Sequence, residues 1–303
     1  MLVHFGVETL QAEWKESVTC VGVFDGVHLG HRAVIGQAIK QARKRECPSI
    51  VVTFDRHPAA ILAPERCPPQ IASIQDDLNQ MESIGVAVAV VLQFDLALSE
   101  TSAQAFLDSI LRQTLRASQL VIGHDFALGH NREGTAEWLS NHISTTVVPP
   151  FELDGHRVSS SEIRRLVSAG NVERAAVLLG RPFAVEGVVV GGQKLGRTLG
   201  YPTLNLARSS AQVMPANGIY AGRCRTRFGV FNAAVSIGVR PAVGGGPRTI
   251  EAHLLDYPGD SLYGYGVSLE LVARIRDERS FPNLDGLKGQ IDQDVVQIRE
   301  HLR

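Results

Sequence analysis

Residues 17–31 read SVTCVGVFDGVHLGH. Residues 17–24 are short, apolar and β-branched, the composition of a buried strand. Asp25 and Gly26 then mark a tight turn. From His31 to Arg45, Ala33, Val34, Ala38, Ile39 and Ala42 recur at helical spacing, and Arg43, Lys44 and Arg45 crowd the end, where cations suit a helix C-terminus. The stretch is therefore a parallel strand feeding a helix through a glycine turn. In open α/β sheets that edge is where ligands bind.

The same rhythm continues outward. Residues 49–54 read as a strand, 76–84 as a helix, 86–94 as a buried strand, 101–115 as a helix and 119–123 as a strand, with a last helix at 162–179. This alternation predicts a parallel sheet with helices on both faces. From Phe183 the texture changes to glycine-rich, alternating runs such as AVEGVVVGG, GIYAGRCRTRF, GVFNAAVSIG, RTIEAHLLDY and GVSLELVARIR. Turn residues at short intervals predict an antiparallel barrel or sandwich. A closing helix over 284–302 carries Leu287, Ile291, Val295, Ile298 and Leu302 on one face. The change near Gly180–Phe183 predicts two domains, 1–182 and 183–303.

Composition agrees and excludes several classes. The 303 residues carry 30 Lys/Arg against 31 Asp/Glu, a net charge of −1, which argues against a chain built to coat nucleic acid. That near-zero value averages 16 basic against 20 acidic residues in 1–183 with 14 against 11 in 184–303. The longest apolar run, 86–92, is far short of the roughly 20 residues a membrane span needs. The first residues lack a basic start and apolar core, so no export signal is read and a cytoplasmic location is expected. Cys20, Cys47, Cys67 and Cys224 form no CxxC pair and read as reduced, buried thiols.

Two stretches carry candidate chemistry. In the first, Gly22, Phe24, Asp25, Gly26, His28, Gly30 and His31 line the strand-to-helix turn. A helix N-terminus offers unpaired N–H groups to a phosphate. His28 and His31, three apart, face one spot and would stabilise charge developing on an attacked α-phosphate. The plain alternative is a pair of capping histidines. A metal site is the other, and it wants a third ligand that is not evident nearby. Ser159, Ser160, Ser161, Glu162 and Arg164 open the last helix of this half; they read either as a capping-box start or as a pyrophosphate clamp. In the second stretch, GVVVGGQKLGRTLGYPTLNL at 187–206, Gly191, Lys194, Gly196 and Arg197 form a basic glycine loop able to wrap phosphates. Pro202 follows, and Thr203 and Asn205 share a face if extended, offering oxygens to a hard cation such as Mg²⁺. The spacing is not a Walker A motif.

FDGVHLGH, TFDRHP (53–58), GHDFALGHNREG (123–134) and VSSSEIR (158–164), in this order, resemble the adenylyltransferase half of the prokaryotic bifunctional riboflavin kinase/FAD synthetase family. The GR…GxPTxN arrangement, PANGIYAGR, TIEAHLLD, SLYG and RIRDERSF resemble its flavokinase half, so the likeness spans nearly the whole chain. It implies an N-terminal Rossmann-like nucleotidylyltransferase domain and a C-terminal flavokinase barrel with a closing helix. ATP would be co-substrate, Mg²⁺ the cofactor, and riboflavin, FMN and FAD the substrates and products. By resemblance His28, His31, Ser160, Ser161 and Arg164 stabilise charge in adenylyl transfer, while Asp125 and Phe126 line the flavin side. Thr203 and Asn205 hold Mg²⁺ and phosphate, Glu251 is the catalytic base and Arg276 contacts flavin. The partners implied are small molecules, with transient self-association left open.

The chain departs from the family pattern at Arg56, Leu62, Asp77, Ala127 and Ser161, and at Ser236 and Ala242 in the second half. These bear on flavin affinity more than on reaction type. Two rival expectations stand beside this reading: an HxGH adenylyltransferase of another substrate, which leaves the second half unexplained, and a catalytically faded flavin-binding relative or one retaining a single activity.

Overall fold

The computed structural model describes residues 1–8, 10–192, 200–209, 211–239, 248–259 and 261–303. They form two compact units, Met1–Ser160 and Ser161–Arg303. Lys194, Gly196, Arg197 and Ala242 lie outside the described residues.

The first unit is built on six parallel strands. These are β1 (Leu2–Phe5), β2 (Ser17–Val21), β3 (Ser49–Phe54), β4 (Val88–Leu92), β5 (Ala117–Gly123) and β8 (Ser144–Val148), in the spatial order β1-β4-β3-β2-β5-β8. Two short antiparallel pairs, β6 (Ala127–Leu128) with β7 (Gly134–Thr135) and β9 (Glu152–Leu153) with β10 (His156–Arg157), complete its strands. The β-branched strands are apolar on both sides because both faces are covered. Val18, Cys20, Val51, Ala89 and Val91 meet helix α1 (Leu29–Lys44) through Val34, Ile35 and Ala38, and helix α2 (Ile74–Ser83) through Leu78 and Met81. Ile50, Val52, Val90 and Leu120 meet Phe106, Leu107 and Leu111 on the opposite face. Those three lie on Phe106–Thr114, which winds as a π-helix after one α-helical turn at Ala103–Ala105. Sequence reading finds the four inner strands and misses β1 and β8. Both are edge strands, and β8 (STTVV) is half polar, so neither carries the unbroken apolar run of a strand covered on both sides.

The second unit is a closed antiparallel barrel of β11 (Phe183–Val190), β12 (Thr203–Arg208), β13 (Gly218–Thr226), β14 (Gly229–Val239), β15 (Arg248–Leu254) and β16 (Gly266–Arg276), in the order β11-β12-β15-β14-β13-β16. Alternate residues fill it: Phe183, Val185, Tyr220, Cys224, Val235, Ile237, Ile250, Ala252, Leu269 and Leu271 are all buried. Closure decides between the two architectures the turn spacing allowed. The helix read as one over 162–179 is two, α3 (Ser160–Ser168) and α4 (Val172–Leu179). Gly170 takes φ 80°, and the Asn171 side chain accepts from Arg174 N to start the second helix. Glycine followed by a capping asparagine is a stop and a restart that apolar periodicity alone passes over.

The closing helix, α5 (Leu284–His301), starts at Asn283, whose side chain accepts from Gly286 N at 2.8 Å. Ile298 and Leu302 pack on Ala221, Ala273 and Leu255 of the barrel's outside. Arg276 and Asp294 pin it with a bidentate pair at 2.9 and 2.6 Å, their side chains only 11% and 6% exposed. Removing one partner strands the other charge in a desolvated place. Asp294→Ala should therefore cost about 3–5 kcal/mol in chemical denaturation, and a double Arg276→Met, Asp294→Leu variant should recover most of it. An Asp294→Ala protein as stable as the parent would show that the pair does not hold the helix.

All four cysteines are free, and Cys20 and Cys224 are buried. Burial pushes the Cys20 thiol far up and the Cys224 thiol up to about 11. A thiol-reactive disulfide reagent at pH 8 should leave both unmodified in the native protein and reach them on denaturation; rapid native modification of either would contradict their burial.

Candidate active sites

From β2 the strand order runs one way through β3 and β4 and the other way through β5 and β8, so it reverses beside β2. Neighbouring connections diverge there and open a crevice at the carboxyl ends of the strands. Val21 pairs with Val52 and Cys20 with Val121, which brings the ends of β3, β2 and β5 side by side. The loops 55–58, 22–31 and 124–126 therefore rise from one edge.

The β2–α1 turn is tightly held. Val27 N donates to Phe24 O at 3.0 Å, and Gly26 takes φ 79°. Buried Val27 takes φ 38°, a strained value for a β-branched residue that costs about 1–3 kcal/mol. Its surroundings over-determine it. Gly26 N donates to Asp77 Oδ1 of α2 at 2.8 Å. Arg32 donates from Nε to Val27 O at 3.2 Å and from Nη2 to Gln80 Oε1 at 2.8 Å. In the reverse direction, the Asp25 carboxylate accepts from Ile71 N at 2.8 Å and Ala72 N at 3.2 Å. Asp77, met in the sequence only as a departure from the family pattern, thus faces this turn.

His28 is the N-cap of α1, and its Nδ1 accepts from His31 N at 3.2 Å. An accepting Nδ1 puts the proton of the neutral ring on Nε2, which makes Nε2 a donor. The His28 and His31 rings stack with centroids 3.6 Å apart, and the edge of His31 meets Phe24 at 5.3 Å. A side chain at Gly30 would press on the His28 ring at 3.1 Å and on the Val158 carbonyl at 3.4 Å, so the chain approaching Ser160 passes this turn. Gly22 N pairs with Val52 O. The capping expectation for His28 and its candidacy as a phosphate donor are compatible, because they use different ring nitrogens.

The neighbouring loops are also anchored. Asp55 accepts from Phe94 N at 2.9 Å and from Arg56 at 2.9 and 2.6 Å. Partial burial pushes its carboxyl up, but the Arg56 and Phe94 hydrogen bonds and the Arg56 charge outweigh this and hold it below the usual carboxylate range. Arg56 pairs with its own neighbour, and Leu62 is exposed. Asp125 accepts from Arg157 Nη2 at 2.6 Å, and its carbonyl accepts from Arg132 at 2.8 Å. Partial burial pushes its carboxyl up, and the Arg157 bond and the His124 and Arg157 charges bring it below the ordinary value. Phe126 N closes a turn onto Gly123 O, and its ring packs on the core. Ser160, Ser161 and Arg164 open α3, where Glu162 accepts from Arg165 at 2.8 Å.

The second candidate site lies on the outer face of the barrel. Leu204 and Leu206 of β12 face inward, so Thr203 and Asn205 lie on the outer side, where Asn205 is nonetheless buried at 6% exposure. Register sets Asn205 opposite Glu251 of β15, and Ser236 of β14 opposite Glu251 on its other side. Thr203 Oγ1 donates to Glu251 Oε2 at 3.4 Å. Gly191 precedes Gly192, where a side chain would collide with the Asn205 amide, so the backbone at Gly192 lies close against it. Sequence reasoning passed over two neighbours. His253, opposite Thr203, hydrogen-bonds Pro202 O through Nδ1 at 2.9 Å and meets the edge of Tyr201 at 5.2 Å. The Tyr201 hydroxyl donates to Asp292 of α5. The only sequence signal for His253 is its place two residues beyond Glu251 on the same strand face. The Arg276 guanidinium, by contrast, is engaged with Asp294. Among the described residues no three His, Cys, Asp or Glu side chains cluster to hold a metal ion.

Residues 10–162 match the family described as FAD synthetase, and residues 179–302 match the family described as riboflavin kinase. The chain is 36% identical over 306 residues to the bifunctional riboflavin kinase/FMN adenylyltransferase of Escherichia coli strain K12, covering 97% of this chain and 96% of that one. It is 33% identical over 293 residues to the Bacillus subtilis strain 168 protein of the same description, covering 94% and 92%. A crystal structure from Streptococcus pneumoniae, described as a macrolide-efflux protein, superposes with a TM-score of 0.89 at 30% identity over 99% of both chains. Among the described residues no helix is long and apolar enough to cross a membrane.

The His28 cap separates two roles by substitution. His28→Ala removes the acceptor for His31 N and should cost about 1 kcal/mol, whereas His28→Asn supplies a good N-cap oxygen and should keep stability within a few tenths. Equal melting temperatures for the two variants would show that the Nδ1 bond contributes nothing.

Proposed function

The chain belongs to the bifunctional riboflavin kinase/FMN adenylyltransferase family, and we propose from that premise which residues carry each half-reaction. The protein is an enzyme that phosphorylates riboflavin to FMN and adenylylates FMN to FAD, using ATP in both steps. In sequence terms the adenylyltransferase domain is 1–182 and the kinase domain 183–303. The SSSEIR segment belongs by function with the first, although α3 and α4 fold in the second compact unit. The enzyme works on small molecules, in the cytoplasm.

The observation that carries the N-terminal assignment is the His28 turn at the point where strand order reverses. ATP lies with its phosphates at the α1 N-terminus, against the backbone of Gly26 and Gly30. An FMN phosphate oxygen attacks the α-phosphorus and pyrophosphate leaves. His28 donates from Nε2, and with His31, Ser160, Ser161 and Arg164 it stabilises the charge that develops. There is no covalent intermediate. Gly22, Phe24 and Asp25 shape the turn, Asp25 by holding the 71–72 amides. Asp125 and Phe126 line the flavin side.

In the kinase domain Glu251 takes the proton from the ribityl 5′-hydroxyl as its oxygen attacks the γ-phosphorus and ADP leaves. The hydroxyl, carboxamide and carboxylate oxygens of Thr203, Asn205 and Glu251 on one face are the hard donors that Mg²⁺ takes, so these residues fit the ion. Thr203 and Asn205 would hold it, and bound Mg²⁺ supplies charge neutralisation to the ATP phosphates. Gly191, Lys194, Gly196, Arg197 and Pro202 serve the ATP phosphates. Arg276 serves the flavin side through the closing helix that it anchors.

Mixing the protein with riboflavin and MgATP and separating the flavins over time should show riboflavin, FMN and FAD in that order. His28→Asn should stop at FMN, with FAD formation down by about a hundredfold or more. Glu251→Gln should form almost no FMN yet still convert supplied FMN to FAD. Equal loss of both activities in either variant would refute this division of labour.

A further inference from the structure

One buried carboxylate at the N-terminal site has no role in the chemistry above. Asp77 stands on α2, is 6% exposed, and accepts from Gly26 N at 2.8 Å. It is firmly seated. Ser73 caps α2 by accepting from Asp76 N at 3.1 Å, and the flanking Leu78 and Met81 pack in the same core as α1.

The amide it holds belongs to the residue just before strained Val27, and Val27 is followed by His28. That amide lies in the Asp25–Gly26 peptide, so holding it fixes the plane from which the chain enters Gly26 at φ 79° and strained Val27 at φ 38°. A Val27 relaxed to negative φ would turn His28 away from the geometry in which its Nδ1 caps α1. The internal Phe24–Val27 bond fixes only one end of this turn. Further ties run to the 71–80 segment: Asp25 to Ile71 and Ala72, Arg32 to Gln80, and Asp77 to Gly26. Asp77 reaches the Gly26 amide, and Arg32, from Nε, holds the Val27 carbonyl on the other side of the turn.

We propose that Asp77 is a positioning residue for adenylyl transfer: its carboxylate fixes the Gly26 amide and, through the Val27 turn, the aim of His28 Nε2. The inference rests on the assignment of adenylyl transfer to this turn. What the turn needs is an acceptor at Oδ1, not a negative charge. Asparagine supplies that acceptor in the same shape, whereas serine is too short to reach.

The test uses the full-length enzyme with FMN and MgATP, and assays riboflavin phosphorylation on the same preparations. Asp77→Asn should keep FAD formation within about threefold of the parent. Asp77→Ser should lower kcat/KM for MgATP in FAD formation by about ten- to a hundredfold, the scale of one lost buried hydrogen bond, and leave the KM for FMN and the kinase rate unchanged. An Asp77→Ser enzyme equal to the parent would overturn the proposal. So would an Asp77→Asn enzyme that falls as far as Asp77→Ser, or a kinase rate that falls in parallel. If Asp77→Ser loses its thermal transition, Asp77→Glu, which keeps the charge and displaces the acceptor, takes its place: a similar loss supports the proposal and parental activity overturns it. A parent enzyme that formed FMN but no FAD would refute the underlying assignment as well, and so is told apart from failure of the Asp77 role alone.

Discussion

A backbone amide that leaves a sheet and stays buried must find an acceptor, and both sites of this protein are shaped by where those acceptors stand. At the end of β2 the Val27, Gly26 and His31 amides turn inward within a few residues of one another. They are met by Phe24 O, Asp77 and His28 Nδ1 respectively. Meeting the last of these with an imidazole rather than a hydroxyl is what suits the turn to the chemistry proposed for it. The same ring that ends the helix is left with its other nitrogen as a proton donor.

The barrel solves the opposite problem. Its closure pairs every strand with two neighbours, so the interior can be wholly apolar and polar chemistry is confined to the outside. Thr203, Asn205 and Glu251 sit on that outer face because the inner positions beside them are Leu204, Leu206, Ile250 and Ala252. Alternation delivers three oxygen-bearing side chains to one patch, and strand register aligns them. The closing helix completes the surface through the Arg276–Asp294 pair and the Tyr201–Asp292 contact. This face of the barrel thus depends on a helix far along the chain from Tyr201, Thr203 and Asn205.

The two sites differ in how much of them could be read from the chain. HxGH after an apolar strand is a local pattern, because strand end, turn and helix start are consecutive and each has its own residue signature. Thr203 and Asn205 were legible as a same-face pair for the same reason. Glu251 was not: flanked by Ile250 and Ala252, it has the local pattern of any half-exposed strand residue, and only the resemblance to a family singled it out. Arg276 shows the converse. Its resemblance suggested flavin contact, and the folded chain engages it with a buried aspartate eighteen positions away, a pairing that no local pattern carries.

By itself the sequence determined the four inner strands of the first sheet, the change from parallel α/β to antiparallel β, and the residues of the two short motifs, because those follow from hydrophobic period, turn chemistry and nearest-neighbour spacing. The tertiary structure alone decided that strand order reverses beside β2, that β1 and β8 complete the sheet, and that the glycine-rich half closes into a barrel. It also decided that the helix after Ser160 breaks at Gly170, and that Asp77, read as a mere departure from pattern, reaches the Gly26 amide. Each of these is a pairing between residues or strands distant along the chain, or a break that a competing local signal hides. Such a pairing is set by which buried donor has which acceptor within reach once the chain has packed.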